Sequence, residues 1–351
     1  MEFWTNVILF LLILFFYIHL QYQFKTGEDL EIYELDYVSN QNLQEVIHLK
    51  QPVLFQIDHL KECEPFFKAI SLDEFVTKKY ANEDVCVKDI REFSTENTTI
   101  DGISLSFSSA YGLMQTDPKG YFFSENNEDV VQNLSFPVHI MDSILKSPWS
   151  LYKTCDWCFG SNNVKTPLRW HTDSAKYIVV SEGAGIRVKM TPWKSRKFLD
   201  FHFKKDYENY EFWSSIDIWN LSLENCNKIK CLEFDVKGGF VLFVPAYWLY
   251  SIQYLKPNET STAPSCLSIF TYHSPMNMIA NAKNYGLYWL QQSNIHNMST
   301  QNVKVVSKLD EEMKTDTTVP SEENKITTTT ANNTDTEISQ MLDVIKVNKS
   351  E

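Results

Sequence analysis

The chain is poor in basic residues: 32 Lys and Arg stand against 45 Asp and Glu in 351 residues, a formal charge of −13. Phosphate backbones are held by basic faces, so this deficit argues against a nucleic-acid partner and against an anionic lipid surface. Cysteine is sparse, with seven residues, which excludes a disulfide-stapled scaffold. The odd number leaves at least one thiol without a partner in the chain. No repeat of fixed period occurs. Two local absences say more. No Asp, Glu, Lys or Arg lies between Phe3 and Phe24, and no aromatic residue follows Trp289. What is present, 43% apolar and 14% aromatic residues, excludes a wholly disordered chain.

The charge-free segment predicts a membrane anchor over residues 1–25. A bilayer core of about 30 Å takes about 20 helical residues, and Phe3 to Tyr22 has that length. Trp4 and Tyr22 sit where interfacial aromatics belong. A cleaved signal peptide needs a basic start and small residues at the cleavage site. This chain instead has Glu2 in front and the bulky Leu20-Gln21-Tyr22-Gln23-Phe24 behind. Only Lys25 flanks the segment closely, so charge gives the orientation little to count. Triplets for N-glycosylation begin at Asn97, Asn133, Asn220, Asn258, Asn297, Asn332 and Asn348, and lean toward a lumenal body and a glycoprotein.

Residues 26–299 form the folded body and 300–351 a disordered tail, because the tail lacks the apolar surface to offset chain entropy. Ile338, Met341, Leu342 and Ile345 have the spacing of one short helix within it. In the body, Leu43 to Leu49 predicts a helix and Pro52 to Phe55 an extended segment. Tyr177 to Val180, Ile186 to Met190, Phe240 to Val244 and Cys266 to Tyr272 predict strands. Asn277 to Gln291 predicts a closing helix. The absence of a βαβ rhythm points to a sandwich or barrel, mainly β with peripheral helices (α+β).

The chemistry-bearing stretch is Thr166-Pro167-Leu168-Arg169-Trp170-His171-Thr172-Asp173. On a strand, His171 and Asp173 would point to one face and could share a metal ion. A distant second His would complete the two-His-one-carboxylate set of Fe(II) oxygenases. Downstream comes Gly238-Gly239-Phe240-Val241-Leu242-Phe243-Val244-Pro245-Ala246-Tyr247-Trp248-Leu249-Tyr250. With Phe159-Gly160 and Pro52-Val53-Leu54, these stretches resemble the cupin-like branch of the JmjC family over about residues 30–280. The resemblance implies a double-stranded β-helix, a jelly roll of eight strands with helices outside. It also implies a metal site and a 2-oxoglutarate pocket.

Three positions depart from the family pattern. Tyr250 stands where the family has its distal metal His. Phe240 replaces the Asp of its Gly-Asp, and Arg169 follows Thr-Pro-Leu where its first His belongs. Without a gap, Arg169 takes the place of that His and His171 that of the Asp; a shift of two residues restores His171 and Asp173. His202, His273 and His139 are the other His candidates. Arg187 and Lys189 could pair with a 2-oxoglutarate carboxylate or form a solvated strand face. Trp170, Trp248 and Tyr250 would line the pocket. Cys155 and Cys158, with Cys226 and Cys231, read as structural thiols or disulfides, and a four-Cys zinc site as the weaker option. Two functions follow. One is a non-catalytic, membrane-anchored module binding a peptide or glycan, with no cofactor. The other is an Fe(II)/2-oxoglutarate-dependent hydroxylase.

Overall fold

The structure, a computed structural model, describes residues 2–72, 74–95, 100, 102–181, 183–199, 202–221, 228–257 and 265–294. The expected tail, Glu182, Cys226 and the triplets at Asn97, Asn258, Asn297, Asn332 and Asn348 lie outside these residues.

Helix α1 (Glu2–Gln23) is apolar on every side, so no face is set apart for packing on the body. Phe3–Gln23 is long and apolar enough to cross a membrane, and its Ile8 to Ile18 side chains are exposed. Its end is tied down: Tyr22 Oη lies 2.7 Å from His48 Nδ1, and the Phe24 and Tyr247 rings are 6.5 Å apart.

The chain then runs β1 (Tyr33–Leu35), α2 (Asn40–Ile47), β2 (Val53–Gln56), α3 (Glu64–Ile70), α4 (Glu74–Lys79), β3 (Asp84–Asp89) and β4 (Ile103–Ser106). Next come α5 (Phe107–Thr116), β5 (Phe122–Ser124), α6 (Glu128–Asn133), α7 (Val138–Leu145), β6 (Tyr152–Gly160), β7 (Leu168–Trp170), β8 (Ala175–Val180) and β9 (Ile186–Thr191). The last part holds β10 (Phe203–Asp206), β11 (Glu211–Ser214), β12 (Leu232–Val236), β13 (Phe240–Val244), β14 (Leu249–Tyr254), β15 (Cys266–His273), α8 (Pro275–Ala280) and α9 (282–294). Among the described residues the strands form a nine-stranded sheet, β1-β2-β13-β8-β15-β6-β5-β3-β4, and a six-stranded sheet, β10-β11-β7-β14-β9-β12. The fold is α+β, rich in strands, with helices at the periphery.

The apolar pattern explains this layering. In β8 and β13 both faces are covered, which is why they read as continuous apolar runs. Ile178, Val180, Leu242 and Val244 pack between the sheets against Val188, Met190, Tyr250 and Ile252. Tyr177, Val179, Val241 and Phe243 face the other way, toward Phe66, Ile70 and Met141 of the helices. Strand β9 has one wet face, so Ile186, Val188 and Met190 alternate with Arg187 and Lys189. Gly239 turns the chain into β13 with φ +81°, and a Cβ there would stand 2.6 Å from the Cβ of Asp58.

Two local expectations change. The closing helix is two helices, broken at Asn281. Ser274 Oγ caps α8 by accepting from Asn277 N at 3.2 Å. The amides of Asn277 and Asn281 both donate to Thr172 O, at 2.7 and 3.4 Å. Strand β7 ends at Trp170, so His171 and Asp173 sit in the connection to β8 and not on a strand face.

Candidate functional site

Strand β7 is flanked by β11 and β14, and register places Trp213, Arg169 and Tyr250 side by side across the three strands. Side chains alternate along a strand, so Arg169 turns inward. Leu168 and Trp170 turn to an outer aromatic cluster, where Trp170 packs 4.3 Å from Phe203 and 5.7 Å from Phe212 between ring centres.

Arg169 enters a buried charge network. Its Nη1 donates to Glu125 Oε2 at 2.6 Å. Lys88 Nζ, 1% exposed, bridges Glu125 Oε1 at 3.1 Å and Glu211 Oε1 at 2.5 Å. Burial penalises the Glu125 carboxylate, but Arg169 and Lys88 outweigh it and hold its pKa down to about 2.

Beside this network lies the His171–Asp173 connection. His171 Nε2 is 3.0 Å from the carbonyl of Val244, which can only accept, so Nε2 carries the ring proton. Nδ1 then accepts from the Asp173 amide at 3.2 Å. Burial lowers the His171 pKa and keeps the ring neutral. Lys176 Nζ lies 3.3 Å from Asp173 Oδ2. Burial opposes the Asp173 charge, yet Lys176 holds its pKa well below the usual range. His273 Nδ1 is 3.7 Å from Asp173 Oδ1 and 2.8 Å from Tyr285 Oη.

These residues do not fit Fe(II) as they stand. Both ring nitrogens of His171 are spent, and the charge of Asp173 is matched by an ammonium group. Tyr250 brings a buried phenol whose pKa burial raises further, which makes it a poor anionic ligand. Among the described residues no three His, Cys, Asp or Glu side chains are grouped as a metal site.

The network floors a cavity of about 910 Å³, lined by Arg169, Trp170, His171, Asp173, Lys176, Trp213 and Tyr250 among others. Tyr152, Tyr210, Tyr285, Tyr288 and Trp289 supply its aromatic lining, and Glu128, Asp129 and Glu208 further carboxylates. Burial and the nearby Asp156 raise the Glu128 carboxyl to about 7. Arg169 Nε and Nη2 and Trp213 Nε1 are buried donors without a partner among the described residues.

Several sequence candidates lie elsewhere. Arg187 is on the outer face of β9, paired with Asp235 at 2.6 and 3.0 Å. Lys189 beside it meets Glu233 at 3.2 Å and the Trp219 ring at 4.8 Å. Neither lines the cavity. Trp248 is a core residue donating to Lys50 O at 3.3 Å. His139 and His202 are exposed. Cys155 and Cys158 are free thiols raised in pKa by burial. Sequence reading missed Lys88, Glu125, Lys176 and Glu211. Lys176 alone left a sign, as the one charge in the apolar run Ala175–Val180.

Compared with protein families and with curated proteins, the chain finds no match.

Proposed function

We propose that the chain is a membrane-anchored, non-catalytic binding module on the double-stranded β-helix of cupin-like proteins, and that its cavity takes a peptide or glycan. The observation that carries this reading is the ion pair of Lys176 with Asp173. An ammonium group built into the chain occupies the carboxylate that an oxygenase offers to iron. Three cations, the buried Lys88 and the half-buried Arg169 and Lys176, balance Glu125, Glu211 and Asp173. The floor therefore favours an uncharged ligand group. Aromatic walls with a few polar groups are what a ligand pocket requires.

Helix α1 anchors the chain in a single pass. The exposed triplet residues Asn133 and Asn220 support a lumenal body. The alternative, an Fe(II)/2-oxoglutarate-dependent hydroxylase, draws on the convergence of His171, Asp173 and His273. It requires Lys176 to leave Asp173 and His171 to free a nitrogen. Calorimetric titration of Mn(II), standing in for Fe(II), into the full chain in detergent tests the choice. The binding-module reading expects no saturable heat; tight binding to the wild-type chain would return the hydroxylase.

A further inference from the structure

Part of the cavity lining, Tyr152, Thr154, Thr271 and His273, lies at the same end of the sheets as the end of α1. Register shows this. Lys176 pairs with Val244 on one side and Thr271 on the other, and Thr271 pairs with Thr154. Those four residues form one row across the nine-stranded sheet. Beyond the row, β13 continues to Tyr247, which packs near Phe24 and donates to Asn281 Oδ1 at 3.2 Å. Beyond it too, β6 begins at Tyr152, paired with His273. Helix α8 packs beside α1.

This end carries apolar side chains that the fold does not cover. Trp149 is 78% exposed, Leu151 73%, Trp289 58% and Leu290 65%. Leu151 N donates to His273 O at 2.9 Å, which fixes the first pair at the row's edge. Trp289 and Tyr152 line the cavity itself. Ile279 on α8 is 54% exposed on the element that touches α1. Contiguous exposed apolar surface on a folded body marks a contact. Trp and Tyr with aliphatic neighbours are the side chains that settle at the headgroup boundary.

We propose that this collar is a second membrane contact: it lies in the headgroup layer of an uncharged bilayer, and the cavity opens onto the membrane surface. The proposal rests on α1 spanning the bilayer, because a spanning α1 sets the membrane boundary near Tyr22 and Phe24, against which α8 and Tyr247 are held. The net charge of −13 selects a zwitterionic surface over an anionic one. The ligand of the cavity is then one presented at the membrane surface.

The full chain in phosphatidylcholine nanodiscs tests this with two photoreactive lipids, one bearing a diazirine in the acyl chain and one in the headgroup. Ile103 is the internal control. It is 60% exposed, and through Val87, Ser124 and Phe159 its row crosses β6 seven residues from Tyr152, about 23 Å at strand spacing. The acyl probe should mark residues 3–23. The headgroup probe should mark peptides holding residues 149–152 and 287–290 several-fold more than the Ile103 peptide. Marking of α1 with collar peptides no stronger than Ile103 would overturn the collar while leaving the anchor intact. Collar marking without α1 would sink only the anchor, and no marking of either would sink both.

Discussion

Lys176 Nζ stands 3.3 Å from Asp173 Oδ2, with the Asp173 side chain 5% exposed and the Lys176 side chain 18%. Their pKa values move apart: burial opposes both charges, yet the pair holds Asp173 well down and Lys176 up. A buried pair of this kind adds little net stability, but removing one partner strands the other. Lys176→Met should therefore cost on the order of 3 kcal/mol, less whatever the flanking His residues recover. Lys176→Met with Asp173→Asn should return most of that loss. Urea denaturation of the three chains measures it, and a double variant no better than the single one would dissolve the pairing argument.

Glu128 sets a pH dependence of its own. Its carboxyl is raised to about 7 by burial and by Asp156, with Thr154 and Lys176 acting the other way. A raised acid favours folding while protonated. Below the unfolded value near 4.5 the group contributes nothing, because both states hold the proton. As pH rises from there through 7, the unfolded chain ionises first and stability falls by up to about 1.4 kcal/mol per unit. Glu128→Gln should thus gain on the wild type between pH 5 and pH 8 by roughly 2 kcal/mol. The difference between the two urea midpoints isolates this group from His171 and His273, whose lowered pKa values slope the other way. A difference flat in pH would contradict it.

The sequence revealed elements in proportion to the length of their apolar pattern. Strands β8, β13 and β15 are continuous or alternating runs and were legible. Strands β1 and β5 span three residues each and carry no period. The site was legible only where its residues are neighbours in the chain. His171 and Asp173 stand out as a pair, whereas Glu125 and Arg169 are 44 positions apart and Lys88 and Glu211 are 123 apart. No local pattern encodes such pairings. Asn281 broke an otherwise helical stretch because its amide serves Thr172, a tertiary demand that outweighs helix propensity.

Helix α1 should behave as a spanning segment. Its exposed apolar side chains run without a charge from Phe3 to Gln23. Carbonate extraction of membranes holding the full chain should leave it in the pellet. Replacing Leu11 and Leu14 by Lys should release it, since each charge near the bilayer centre costs about 3 kcal/mol. Release of the wild-type chain would mean that α1 does not cross.

Restoring the family's distal ligand should fail by itself. Tyr250→His would place an imidazole on β14 beside Arg169, whose Cα is its register partner. The new ring would meet a guanidinium already bound to Glu125 at 2.6 Å, and a carboxylate, Asp173, already held by Lys176. A divalent cation entering there would face two fixed cations, and His171 would have no lone pair to offer while Nδ1 accepts the Asp173 amide. Tyr250→His should therefore show no more heat on Mn(II) titration than the wild type. Adding Lys176→Met removes the competing ammonium and leaves Asp173 seeking a cation. Tyr250→His with Lys176→Met is the variant in which saturable Mn(II) binding should first be seen, with one ion per chain. If Tyr250→His alone binds Mn(II) tightly, Lys176 does not guard Asp173, and loss of the single distal His would suffice to explain the site.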